Sequence, residues 1–186
     1  MHVAVTFDDD WRLISRTLTD DEKMLVKSTA LRTLESAYAG FDVRFGHDPS
    51  AERAIRVEST PDAKPGPGVV ALAGAVGVTY PVARVSTVHP DALYFAERAS
   101  AGCQNIDVCA AKTKQQLLEG LGRGIGATAA HELGHQAGLH FSRDVRCDDC
   151  YDGDKATTYV HFFGSKHWSS DALAIMQRVL PSGDPR

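Results

Sequence analysis

The chain lacks any apolar run approaching the roughly 20 residues that a membrane-crossing helix requires, so no membrane partner is expected. It also lacks a basic excess: 20 lysines and arginines stand against 24 aspartates and glutamates, for a formal net charge of -4. Binding nucleic acid through its phosphates needs a clustered basic face, and no nucleic-acid partner is expected either. The first residues lack the charged stretch and apolar run of a secretory leader. Instead His2-Val-Ala-Val-Thr-Phe7 alternates as a strand does. Two placements stay open: a cytoplasmic protein, or a secreted or extracytoplasmic one that begins after a removed leader. The glycines at 120, 122, 124 and 126 do not fit G-x-G-x-x-G, which argues against a phosphate-binding loop.

What is present suits one α/β domain, and 186 residues are enough to bury a core. A monomer is expected. Thr19 or Asp20 can cap a helix over about 21–39, with acidic residues in its first turn where the helix dipole favours them. Met24, Leu25, Leu31, Leu34 and Tyr38 fall near helical spacing and mark its core-facing stripe. Gly40 ends that helix, and residues 41–45 and 54–58 alternate as two strands. Residues 59–68 are a Pro- and Gly-rich loop. From 69 to 88, small and β-branched residues interrupted by Gly74, Gly77 and Pro81 predict two short strands or one bulged strand, part of it at a sheet edge. Such an edge can accept an extended peptide as a further strand. Residues 89–97 read as a loop with a helical turn.

Thr113 is the candidate cap of a helix over 114–138, led by Leu117, Leu118, Leu121 and Ile125. Its four alternate glycines each cost about 1 kcal/mol relative to alanine. They predict either a break between two helices or a surface that another backbone approaches closely. The end of this segment, Ala129-Ala-His131-Glu132-Leu-Gly-His135-Gln-Ala-Gly138-Leu-His140, carries the chemistry. Positions i and i+4 share a helix face, so His131 and His135 can put two imidazoles on one zinc ion. Glu132 beside them can hold a zinc-bound water and act as its general base, which is the H-E-x-x-H signature of metalloproteases.

Two histidines need a further protein donor while one position stays open for water. No glutamate follows Glu132, which argues against a thermolysin-like ligand set. Gly138, able to adopt the left-handed conformation, can end the helix and turn the chain back toward the metal. His131, Glu132, His135 and Gly138 together resemble the metzincin pattern H-E-x-x-H-x-x-G-x-x-H. The third-histidine slot of that pattern holds Phe141, and a histidine stands one place early, at His140. His140 is the first candidate for the third ligand, Asp144 the second, with His161 and His167 further candidates.

The resemblance implies a single zincin-like catalytic domain: a twisted mixed sheet with a backing helix and an active-site helix in residues 1–138, and a smaller lower part in 139–186 ending in a helix. It implies a zinc-dependent endopeptidase acting on a peptide or protein substrate. The alternatives are a zinc hydrolase of a non-peptide amide, or a catalytically weak zinc-binding module. It also implies a methionine turn below the metal, but Met176 lies in a capped amphipathic pattern over 169–180 and reads better as a core residue. In some metzincins a tyrosine assists the metal; Tyr151, Tyr159 and His161 read as a polar loop closing over the site, and Tyr159 is the candidate.

Four cysteines, Cys103, Cys109, Cys147 and Cys150, allow three pairings. Disulfides between the loops flanking the zinc helix would stiffen the site walls and imply an oxidising compartment; a zinc held by all four thiolates is the rival. Asp148, Asp149, Asp152 and Asp154 could bind calcium, although a solvated acidic loop is the plainer reading.

Overall fold

The computed structural model describes residues 1–8, 11, 18–59, 77–80, 84–103, 111–140, 145–153 and 158–183. The elements run β1 (His2–Phe7), α1 (Asp20–Ala37), β2 (Arg44–Gly46), β3 (Arg53–Val57), β4 (Gly77–Tyr80), β5 (Val85–Val88), α2 (Pro90–Ser100), α3 (Lys114–Gln136), α4 (Tyr159–Phe163) and α5 (Ser170–Met176). The strands form one mixed sheet in the order β2-β1-β3-β5-β4. The first three pairings are parallel and β4 runs antiparallel to β5, at the edge. The mixed α/β architecture matches the expectation from sequence, including a backing helix, a long central helix and a small helical C-terminal part.

β1 lies between two parallel neighbours and buries Val3, Ala4 and Val5 in succession, as strands covered on both faces do. The predicted strand at residues 41–45 is shorter and later: Phe41 makes an isolated bridge to Ser182, and β2 begins at Arg44. Residues 89–97, read as a loop with one turn, are mostly an eleven-residue helix. Pro90 sits at its first position, where the missing N–H costs nothing.

Two helices carry capping boxes. Thr19 accepts from Glu22 N while the Glu22 carboxylate takes Thr19 N–H, and Thr113 and Gln116 repeat this at α3. The glycine question resolves as close approach, because α3 is continuous. A Cβ on Gly122 would lie 2.8 Å from the Val26 carbonyl oxygen, and one on Gly126 only 2.4 Å from that of Ala30. Glycines one turn apart thus let α1 and α3 pack backbone to backbone.

The last turn of α3 is tied to the sheet. Arg53 Nη1 donates to the Gln136 carbonyl at 2.6 Å, and Gln136 Nε2 donates to Ser86 Oγ at 2.7 Å. Tyr38, at the end of α1, donates its hydroxyl hydrogen to the Ala130 carbonyl. The C-terminal part is pinned from the other side by Trp168, whose indole N–H donates to the Ala37 carbonyl at 2.7 Å. Met176 in α5 is fully buried, as a core methionine.

Candidate metal centre

His131 and His135 occupy the last turns of α3 and bring their Nε2 atoms to 2.9 Å, with the ring planes nearly perpendicular at 88°. Each Nδ1 faces a main-chain carbonyl: Tyr151 O at 2.7 Å from His131 and Leu139 O at 2.9 Å from His135. A carbonyl oxygen only accepts, so both Nδ1 atoms are the protonated ones and both Nε2 atoms carry lone pairs. Two neutral rings with Nε2 atoms turned toward each other at that separation are a donor pair that one shared cation can take. A neutral imidazole whose far nitrogen is held by a carbonyl is also the usual state of a histidine metal ligand. Burial, reinforced by the neighbouring His135, pushes the His131 pKa down to about 4, which keeps the ring neutral near pH 7. The donor set fits zinc. Nitrogens about 3.3 Å apart follow from Zn–N bonds of about 2.0 Å at a tetrahedral angle, close to the separation seen.

The turn after α3 is closed by a left-handed glycine. Gly138 has φ of 101°, Leu139 N–H donates to Gly134 O, and Gly138 N–H donates to His135 O, which together make a Schellman cap. This cap presents the Leu139 carbonyl to His135. The absent side chain of Gly134 makes room for Leu139 and the Trp168 ring, since a Cβ there would meet them at 2.8 and 3.0 Å.

Glu132 is buried and faces the edge strand. Gln136 Nε2 donates to Ser86 Oγ; Ser86 and Thr79 hydroxyls are 2.9 Å apart; Thr79 Oγ1 lies 2.5 Å from Glu132 Oε2. Both hydroxyls also lie within reach of the Glu132 main-chain carbonyl, Thr79 at 2.9 Å and Ser86 at 3.3 Å, so Gln136, Ser86 and Thr79 form one polar cluster that holds Glu132 by backbone and side chain together. Gly77 of β4 completes the seat: a Cβ there would stand 2.7 Å from Glu132 Oε1. The sequence singled out Glu132 but gave no hint of Thr79, Ser86 or Gln136 as its supports.

The other candidates fall in different places. His140 is exposed and lines a cavity of about 420 Å³ with Val145, Asp152, Asp171 and Arg178. Among the described residues, no third histidine, cysteine or carboxylate is grouped with His131 and His135. Asp144 and Asp154 lie outside the described residues. His161 is buried with both nitrogens engaged. Nε2 lies 3.0 Å from the Gly124 carbonyl, to which it donates, and Nδ1 lies 3.3 Å from Lys166 Nζ, from which it accepts. Burial, then the Lys166 charge, push the His161 pKa down to about 3, while burial pushes Lys166 down to about 8. His167 stands beside Cys150 and Asp149.

Tyr159 and His161 are in helix α4 rather than in a loop. Tyr159 is largely exposed and takes a hydrogen bond from Lys112 at 2.8 Å. Tyr151, through its carbonyl, is the tyrosine that meets the histidine pair. Asp152 is buried and accepts from both N–H and Oγ of Ser169, so one carboxylate of the acidic run weighed for calcium is committed elsewhere, and it is not solvated either. Cys147 and Cys150 form a local disulfide, so the pair after α3 does not tie together the loops flanking that helix. Cys103 is disulfide-bonded as well.

No family model matches the chain, and no curated protein does. Among solved structures it is similar to a zinc-dependent peptidase from Methanocorpusculum labreanum (strain Z), with 13% identity, coverage of 94% of this chain and 100% of that one, and a TM-score of 0.52. At that identity the likeness establishes a shared fold and nothing finer.

Proposed function

We propose that this chain is a zinc-dependent peptidase. The observation that carries the reading is the pair of Nε2 lone pairs 2.9 Å apart, each tautomer fixed by a main-chain carbonyl. The shared fold with a protein described as a zinc-dependent peptidase supports it. His131 and His135 are two ligands; His140, exposed and not grouped with them, is the third only if its side chain turns in toward the pair, with Asp144 as the alternative. The chain folds back against His135 at Leu139, immediately before His140. Held by these residues, zinc would supply a coordinated water whose pKa is about 7 and a Lewis acid for a carbonyl oxygen.

Glu132 is the general base. Its carboxylate, aimed by Thr79, takes the water's proton and passes it to the leaving amine. β4, the sheet's edge among the described residues, lies beside Glu132 and offers main-chain groups with which an extended substrate can pair. The reaction is thus hydrolysis of a peptide bond in an extended segment.

The test is zinc content and cleavage of an unfolded protein in the unaltered chain and in Glu132→Gln. Bound zinc in both, with turnover only in the former, is expected; turnover retained by the variant removes Glu132 from its role. A second reading, a zinc-binding module with weak catalysis, is favoured by the displaced third histidine. Stoichiometric zinc with no cleavage by the unaltered chain selects it.

A further inference from the structure

Away from the histidine pair, the turn at 147–150 gathers two sulfurs, a carboxylate and an imidazole. The candidate ligand atoms of Cys147, Asp149, Cys150 and His167 all lie within 4.8 Å of one another. We propose that this cluster is a second metal site gated by thiol redox state. Opening the Cys147–Cys150 disulfide frees two thiolates that, with His167 and Asp149, take a zinc-class divalent cation.

The geometry is poised for it. Cys150 Sγ and His167 Nε2 are 3.8 Å apart. A separation of about 3.6 Å follows from Zn–S and Zn–N bonds of about 2.3 and 2.0 Å at a tetrahedral angle. On the other side, Asp149 Oδ1 lies 3.0 Å from Cys147 Sγ. In the disulfide that sulfur has no hydrogen to give, so two electron-rich atoms face each other without a donor. A cation shared between them would reverse the sign of that contact.

The main chain holds the donors in place. His167 N–H donates to Asp149 O, Tyr151 N–H donates to His167 O, and Cys150 bridges His167 as a parallel pair. His167 is therefore fixed against the turn even though its ring is exposed. The C-x2-C spacing is that of zinc knuckles, and thiolate with imidazole selects zinc over hard cations. Asp149 and His167 are exposed and Cys147 is half-buried while Cys150 is buried, so a reductant's thiolate reaches the disulfide at the Cys147 sulfur.

The chemistry balances with a dithiol as the reductant. Its two thiols give two electrons and two protons, its own disulfide forms, the Cys147–Cys150 bond breaks, and two cysteine thiols result. Cation binding then releases both thiol protons to solvent. This site stands independently of the peptidase reading.

The experiment uses the full chain with His131→Ala and His135→Ala, which silences the first pair, and cobalt(II) as the probe. After reduction the protein should gain a thiolate-to-cobalt charge-transfer band that the oxidised protein lacks. Cys150→Ser should abolish the band and His167→Ala should shift it. A reduced protein with no such band, or a band unchanged in Cys150→Ser, overturns the proposal. Should the double-alanine chain not fold, zinc is counted on the unaltered chain. One further equivalent in the reduced state supports the site, and equal content in both states overturns it.

Discussion

Thr79, on the sheet's edge strand among the described residues, and Glu132, on α3, are joined by a hydrogen bond of 2.5 Å from the threonine hydroxyl to Oε2. The hydroxyl has a single hydrogen and two acceptors on the same residue within reach, the Glu132 carboxylate and, at 2.9 Å, its main-chain carbonyl, so Thr79 holds the orientation of the proposed general base. Thr79→Val keeps the shape and removes the donor. Loss of such an orienting partner typically costs about 10- to 100-fold, so kcat should fall in that range with zinc content and KM little changed. Steady-state kinetics beside metal analysis checks this; an unaltered kcat would detach Thr79 from the reaction.

The seat at Gly77 gives a steric prediction on the same strand. An alanine there would bring its Cβ to 2.7 Å from Glu132 Oε1 and 2.9 Å from Thr128 Cγ2. Gly77→Ala should displace the carboxylate and depress kcat while the histidine pair keeps its metal. Zinc binding by competition with a chelator, measured alongside turnover, separates the two effects.

Backbone contact between α1 and α3 predicts a stability penalty where helix propensity alone predicts a gain. Gly126→Ala should gain about 1 kcal/mol of propensity. Its Cβ, however, would sit 2.4 Å from the Ala30 carbonyl and 2.7 Å from Thr33 Cβ, and forced overpacking of this kind costs about 1–3 kcal/mol or more. A net lowering of the urea midpoint is expected. A raised midpoint would show that the two helices can separate at little cost.

His161 sets a pH window for the metal-free protein. Its native pKa is about 3 because burial and the facing Lys166 charge disfavour the imidazolium, while the unfolded chain titrates near the ordinary value of 6.5. Between those values the unfolded state binds the extra proton, so this group's contribution is present above about pH 6.5 and is lost progressively as pH falls toward 3. His161→Gln keeps a donor for the Gly124 carbonyl and cannot titrate. Its stability should fall less steeply over that interval, as urea titrations from neutral to acid pH will show.

The helix that carries the two histidines was legible because its signals are local. His131, Glu132, His135 and Gly138 lie within eight residues, and i, i+4 spacing alone puts the two histidines on one face. Thr19, with Asp20 as the alternative, and Thr113 stood out as caps by residue type, and the structure adds their reciprocal partners Glu22 and Gln116. The glycines at 122 and 126 were ambiguous for a physical reason: whether they break a helix or admit a neighbour depends on α1, nearly a hundred residues away. The partners of His131 and His135 left no trace at all, because each is a carbonyl oxygen that every residue possesses. His167 was weighed as a further third ligand for the His131 and His135 pair. Only the pairing of residue 167 with the turn at 150 makes it a neighbour of the cysteines.

That the Tyr151 carbonyl orients His131 has an evolutionary side. The oxygen belongs to the main chain, so exchanging the side chain at 151 leaves it in place, and the position can drift in identity without erasing the contact. Its weak point is chain length. One residue added or removed between Val145 and Gly153 would slide a different carbonyl past the ring, so this loop should tolerate substitution across related chains far better than insertion or deletion.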